Sequence, residues 1–211
     1  MAPSVAFPSA LAASSYQTPG GGDLYAPLRE KVIATAVAMG YDRETMVEYG
    51  INWSDDHDPF GHVKNHCYPR LMTMCNMRVI FSFEPYLKEK YADFMNARSI
   101  GCLVKSTTLN LRRPVTFPDS LIIANRLTEV LVDRYFGVTT IWSLRQQAIV
   151  AETRGYMVFF DYNNNLPADM IKAGGVYADL YNALVARKDQ GDKIAAKWEA
   201  EHPPKKQKAK L

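Results

Sequence analysis

Apolar positions recur along this chain at two different periods, and the change of period marks its elements. From Pro27 to Met39 the residues Leu28, Val32, Ala36 and Met39 fall on one helical face. Pro27 suits a first turn there and Gly40 a stop. From Thr45 to Trp53 the apolar points Met46, Tyr49, Ile51 and Trp53 read as a strand, and a polar turn follows from Ser54 to Gly61. The stretch Val63 to Leu87 then lacks glycine and carries Leu71, Met72, Met74, Cys75, Met77, Val79, Ile80, Phe81 and Phe83. These cover nearly every direction around a helix, so the pattern predicts one long helix buried on almost all sides. Pro69 fits its first turn and Pro85 its end.

Beyond this point the period shortens. Gly101 to Arg113, Leu121 to Val132, Tyr135 to Leu144 and Ile149 to Tyr162 read as four strands of an antiparallel meander. Tyr156 to Phe160 is apolar on both faces and suits a central strand. The short connections at Pro118-Asp119 and Gln146-Gln147 fit hairpins rather than helical crossovers. After Asn163-Asn164-Asn165, a helical region runs from Pro167 to Trp198 with a break near Gly174-Gly175. A buried helix with four or five antiparallel strands predicts an α+β domain whose sheet wraps the helix. Such a curved sheet has open edges, which favours pairing of two copies edge to edge.

Composition narrows the picture only modestly. Of 211 residues, 47% are hydrophobic and 22% charged, the balance of an ordinary globular protein. The net charge of +3 is too small to argue for nucleic acid. No apolar run is long enough to span a membrane. Three cysteines without C-x-x-C spacing argue for a reducing compartment and against a disulfide or metal framework. The expected organisation is a flexible arm at 1–23, one domain at 24–166 including the first helix, a helical extension at 167–202, and a basic tail at 203–211. The arm lacks the basic residues of a secretory or transit signal. The tail closes on Ala209-Lys210-Leu211, which resembles the S-K-L peroxisomal address. An import receptor is therefore an expected partner; cytoplasmic residence is the alternative.

Chemistry-bearing residues crowd into one segment. Trp53 to Tyr68 holds Asp55, Asp56, Asp58, and three of the four histidines: His57, His62 and His66. Carboxylates crowded in a turn repel one another and perturb their titration, a trait of functional sites. The segment also leads into the long helix, whose unpaired N–H groups could polarise a carbonyl. A carboxylate beside a helix N-terminus makes a workable thioesterase without a catalytic serine. The competing reading is structural: Asp58 caps the helix or braces the turn, and His62 bonds a backbone carbonyl.

The string Asp58-Pro59-Phe60-Gly61-His62-Val63-Lys64-Asn65, with Tyr68 further on, resembles the motif of the 4-hydroxybenzoyl-CoA thioesterase family of hot-dog proteins. Weaker likenesses run through Leu111 to Pro114, Phe117 to Leu121, and Ile149 to Glu152, so the resemblance spans about Met46 to Pro167. It implies the hot-dog fold and hydrolysis of an acyl-CoA thioester, with CoA as part of the substrate and no separate cofactor or metal. On that resemblance Asp58 is the catalytic carboxylate, as base or nucleophile, and Asn65 marks the helix start that donates to the carbonyl. His62 belongs to the same catalytic string. Gly61 permits the tight turn, Phe60 and Tyr68 border the acyl group, and Arg112 and Arg113 meet the CoA phosphates. A homodimer or homotetramer is implied. Lys64 and Phe60 depart from the family pattern, and Phe60 could reshape the acyl pocket. Two other readings stand beside the hydrolase. One is an enoyl-CoA hydratase or dehydratase of the same fold, for which the Asp-to-His spacing is one residue too long. The other is a non-catalytic acyl-binding module.

Overall fold

The computed structural model describes residues 25–203. The expected arm at 1–23 and the Ala209-Lys210-Leu211 tripeptide lie outside them. Helix α1 (Ala26–Ala38) begins with Pro27 in its first turn and buries Val32 and Ala36. At Gly40 the backbone takes φ +84°, and a β-carbon there would lie 2.4 Å from the Gly191 carbonyl oxygen, so only glycine fits. Strand β1 (Val47–Gly50) is shorter than the predicted 45–53. Asn52 accepts hydrogen bonds from the Ser54 and Asp55 amides and starts a helical turn, α2 (Trp53–Asp56), which ends the strand.

Helix α3 (Cys67–Phe81) is the predicted buried helix, but it is shorter than 63–87 and differently covered. Its first four predicted residues form a loop instead. There the Val63 amide donates to the Val115 carbonyl at 2.8 Å and the Lys64 amide to the Asp56 carbonyl at 2.7 Å. At the other end Pro85 has no N–H to continue the ladder, so the chain breaks at Ser82 and resumes as α4 (Glu84–Leu87) and α5 (Tyr91–Met95). Leu71, Met72, Cys75, Val79 and Ile80 are buried against the sheet, whereas Thr73, Met74 and Phe81 are exposed. The helix is thus covered on one side by its own chain.

Four long strands follow: β2 (Ile100–Leu111), β3 (Ser120–Leu131), β4 (Arg134–Ser143) and β5 (Ala148–Asp161), with a short β6 (Leu166–Pro167) against the end of β5. All neighbouring pairs are antiparallel, in the order β1-β3-β4-β5-β2. The order corrects one expectation: β2 does not form a hairpin with β3 but pairs with β5, so residues 112–119 cross to the far side of the sheet. The two-faced apolar β5 is accordingly central, with strands on both flanks.

The sheet curls around α3, and α1 lies on its outer face with Ile122, Ala124, Val138 and Trp142. Helix α6 (Met170–Ala173) is capped by the Asp169 carboxylate, and Gly174 and Gly175, at φ +69° and +53°, make the predicted break. Helix α7 (Gly175–Glu201) follows and packs along β3 where β1 no longer covers it. Its Leu180, Leu184, Gly191 and Ala195 form one buried stripe. One sheet edge is therefore shielded by a helix, whereas β2 at the other has no further partner strand among the described residues. An antiparallel sheet wrapped around a central helix is the hot-dog arrangement.

Candidate active site

The motif loop leaves β1, passes through α2 and ends at the first turn of α3. Its two central carboxylates are treated in opposite ways. Asp56 is 1% exposed and accepts from every side. Its Oδ2 takes the Tyr49 hydroxyl at 2.9 Å and the Asn52 amide at 2.8 Å. Its Oδ1 takes Arg70 Nη2 at 2.6 Å, with the Cys67 thiol at 3.5 Å. The Arg70 guanidinium also lies over the Tyr49 ring and donates to its hydroxyl. This network ties β1, α2 and α3 together and leaves no lone pair for a ligand.

Asp58 faces solvent. Its Oδ1 accepts the backbone N–H groups of Phe60 (2.9 Å) and His62 (3.0 Å), while Oδ2 makes no hydrogen bond to the described residues. The Asp58 amide donates to the His62 carbonyl at 2.8 Å and the Gly61 amide to the Asp58 carbonyl at 3.1 Å, closing a tight turn. Gly61 sits at φ +79°, the left-handed conformation that glycine adopts without cost. The backbone donor of His62, foremost, holds the Asp58 carboxyl below the usual carboxylate range, so it is ionised at neutral pH. Asp58 does not line the cavity of about 180 Å³ that α3 forms with the sheet.

The other predicted residues divide clearly. Gly61, Phe60 and His62 share the Asp58 turn; Phe60 is 83% exposed, and the His62 ring makes no hydrogen bond to the described residues. Asn65 is exposed immediately ahead of α3. Tyr68 is 2% exposed among Val63, Leu71 and Val150, and burial pushes its phenol up to about 12. Arg112 pairs with Glu152 at 2.7 Å, an ion that Arg154 shares at 3.0 Å, whereas Arg113 is exposed.

The 112–119 connection carrying both arginines docks on the motif loop. Besides the Val63–Val115 bond, His57 Nε2 accepts the Phe117 amide at 2.7 Å, which requires that nitrogen to be unprotonated. Burial lowers the His57 pKa against the opposing pull of Asp58 and Asp56, in keeping with that role. No group of three or more His, Cys, Asp or Glu residues among the described residues could hold a metal ion. No helix among them is long and apolar enough to cross a membrane.

Sequence reasoning missed two features. One is the Asp56 network, because partners at Tyr49 and Arg70 are set by packing. The other is a cleft of about 180 Å³ between the exposed side of α3 and the inner face of the sheet. Its signal was present, since Asn125 interrupts the otherwise apolar inward series Leu121, Ile123, Leu127.

Comparison with known proteins agrees with this architecture. No curated protein sequence matches the chain. Among solved structures it is similar to a DHNA-CoA thioesterase from Staphylococcus aureus, at TM-score 0.56 and 14% identity, covering 69% of this chain and 93% of that one. It is also similar to a hypothetical protein from Staphylococcus aureus in complex with CoA, at TM-score 0.56 and 10% identity, covering 70% and 84%. At such identities these likenesses establish the fold. A family model, described as the Thioesterase-like superfamily, matches residues 51–184, from the residue after β1 into α7. That stretch takes in the motif loop, the central helix and the four long strands, and the chain belongs to the Thioesterase-like superfamily.

Proposed function

We propose that this thioester hydrolase acts on acyl-CoA, with Asp58 as the reacting carboxylate and the leading end of α3 as the oxyanion stabiliser. The observation that carries the reading is the division of labour within Asp58. Two backbone N–H groups orient Oδ1, and Oδ2 keeps its lone pairs for water or for the thioester carbonyl carbon. Negative charge developing on the carbonyl oxygen would meet the positive end of the α3 dipole near Asn65, worth about 0.3–2 kcal/mol for the dipole alone. The carbon–sulfur bond then breaks and the CoA thiolate takes a proton from solvent; the acyl group leaves as the free acid, directly when water attacks, or after water cleaves the mixed anhydride when Asp58 itself attacks. Arg113, free of any carboxylate partner among the described residues, is suited to a CoA phosphate, whereas Arg112 is already neutralised by Glu152.

Enclosure of Asp58 is assigned to a second copy of the chain. On its side away from β5, strand β2 has no partner strand among the described residues, and it exposes Leu103, Val104 and Leu111. Edge-to-edge pairing there would cover the bare side of α3 as well. The hydratase reading requires Asp and His acting together, and here the Asp58 and His62 side chains are not hydrogen-bonded to each other. The Ala209-Lys210-Leu211 terminus is proposed as a peroxisomal address, checked by whether deleting it abolishes the import of a fluorescent fusion.

A thiol-release assay across short, long and aromatic acyl-CoAs tests the activity. Release by the parent and its loss in Asp58→Asn supports the reading. Acyl-CoA binding without turnover by the parent would make the protein a binding module.

A further inference from the structure

The core around α3 is not continuous. One apolar cluster gathers Leu127, Tyr135, Met157 and Phe159, and another Leu121, Ile123, Ile141 and Ala151. Between them a band crosses three neighbouring strands: Asn125 on β3, Thr139 on β4 and Thr153 on β5, in register with one another. All three face inward and are nearly inaccessible, at 8%, 5% and 4% exposure. Asn125 Nδ2 donates to Thr139 Oγ1 at 2.8 Å. Neither Asn125 Oδ1 nor the Thr153 hydroxyl is hydrogen-bonded to the described residues, and neither atom is sealed from solvent, so both are open to the cleft. Asn76, from α3, brings a third unpartnered polar group to the same space from the opposite wall.

Polar groups that the protein leaves unpaired on the wall of a cleft are satisfied by water or by a ligand that displaces it. The cleft of about 180 Å³ lies over this band and is lined also by Pro69 in the first turn of α3 and by Tyr135 and Met157. Its floor is kept low by Gly137 and Gly155, which sit opposite each other on β4 and β5. A β-carbon at Gly155 would come within 2.4 Å of the Ser106 carbonyl oxygen, and one at Gly137 within 3.2 Å of the Asn125 amide. A pocket that served a saturated acyl chain would be lined by leucine and valine at these positions.

We propose that this cleft seats the acyl group and selects short aliphatic acyl groups carrying a hydroxyl or keto oxygen over saturated groups of the same length. The inference rests on the hydrolase reading for its location relative to the thioester. Asn76 and Asn125 offer amides that both donate and accept, and the Thr153 hydroxyl does the same, so an added oxygen on the acyl chain completes their hydrogen bonds. A methylene in its place leaves them unpaired, which is how a polar site rejects the analogue lacking the group. A volume of about 180 Å³ limits chain length.

The test uses calorimetry on the Asp58→Asn protein, so that turnover does not consume the ligands, with 3-hydroxybutyryl-CoA and butyryl-CoA as the probes. The hydroxylated compound is expected to bind about tenfold more tightly or better, roughly 1.4 kcal/mol. Thr153→Val, which keeps shape and removes the hydroxyl, brings the ratio towards one, and Thr153→Ser retains it. Asn76→Leu, on the helix wall, reduces the ratio independently should the strand variant fail to fold. Equal affinities, a preference for butyryl-CoA, or a ratio indifferent to Thr153→Val and Asn76→Leu would overturn the proposal. Thiol release by the parent protein is read separately. Its absence removes the hydrolase reading, whereas the affinity ratio still decides the character of the cleft.

Discussion

Asp56 and Asp58 stand two residues apart in the same loop and lead opposite lives. Asp56 is sealed inside, with both oxygens engaged by Tyr49, Asn52, Arg70 and Cys67. Asp58 points outward, with one oxygen held by its own turn and the other available. A carboxylate whose lone pairs are all committed is a strut. One that is oriented yet half unsatisfied can act on a substrate. The loop needs both: the Asp56 hub fixes the position of the turn that Asp58 occupies, through the Lys64 amide on its carbonyl and Cys67 at the helix start.

The difference can be broken from either side. The largest effect is expected from Asp58→Asn, with acyl-CoA hydrolysis falling by about 10²- to 10⁴-fold in steady-state thiol release. The amide oxygen still accepts from Phe60 and His62, so the unfolding midpoint should move little. A variant that loses activity only in proportion to lost folded protein would make Asp58 a strut as well. Asp56→Asn should show the reverse. It leaves Arg70 and Tyr49 without their anion and costs about 2–3 kcal/mol in denaturant unfolding, below the value for a fully buried pair because Arg70 is half-exposed. Its activity loss should track stability and be recovered at low temperature.

A smaller effect, about 1–2 kcal/mol, is expected for Gly61→Ala, since a β-carbon is strained at φ +79° although it meets no neighbour. Calorimetric melting checks the cost. A shift in kcat/KM larger than in stability would show the turn to be set for chemistry.

Titration sharpens the same contrast at the smallest scale. Asp58 is lowered by its backbone donors, so the bound form is the ionised one. Its contribution persists above the ordinary carboxylate range and fades only as pH falls below it. The pH profile of kcat/KM should therefore show no carboxylate limb between about pH 5 and 8. His57 is lowered mainly by burial, so acid costs stability as pH falls through about 6.5, where the unfolded chain gains a proton that the folded one resists. Unfolding followed from neutral to acid pH should show this small loss, and His57→Gln, whose amide oxygen can accept from Phe117, should lack it.

Much of this was legible along the chain. The strands of the sheet and the Gly174-Gly175 break follow from local period and glycine, and so did the crowding of Asp58, Gly61 and His62 before a helix. The extent of the central helix was misread because Val63 and Lys64 are apolar or neutral to helix formation, yet their amides are drawn to Val115 and Asp56, residues distant or turned away in sequence. The burial of Tyr68 was not legible for a related reason, since the direction of a helical side chain depends on which face the sheet covers.

What the sequence determined by itself is the set of local choices: helix, strand or turn at each stretch, and a carboxylate-bearing loop leading into a helix. These depend on side-chain periodicity and on the backbone limits of Gly and Pro, which act over a few residues. Only the tertiary structure decided that β2 pairs with β5, that Asp56 is consumed while Asp58 is not, and that Asn125, Thr139 and Thr153 meet in one buried band. Those outcomes rest on contacts between residues far apart along the chain, whose strength depends on burial and partner geometry that no local pattern encodes.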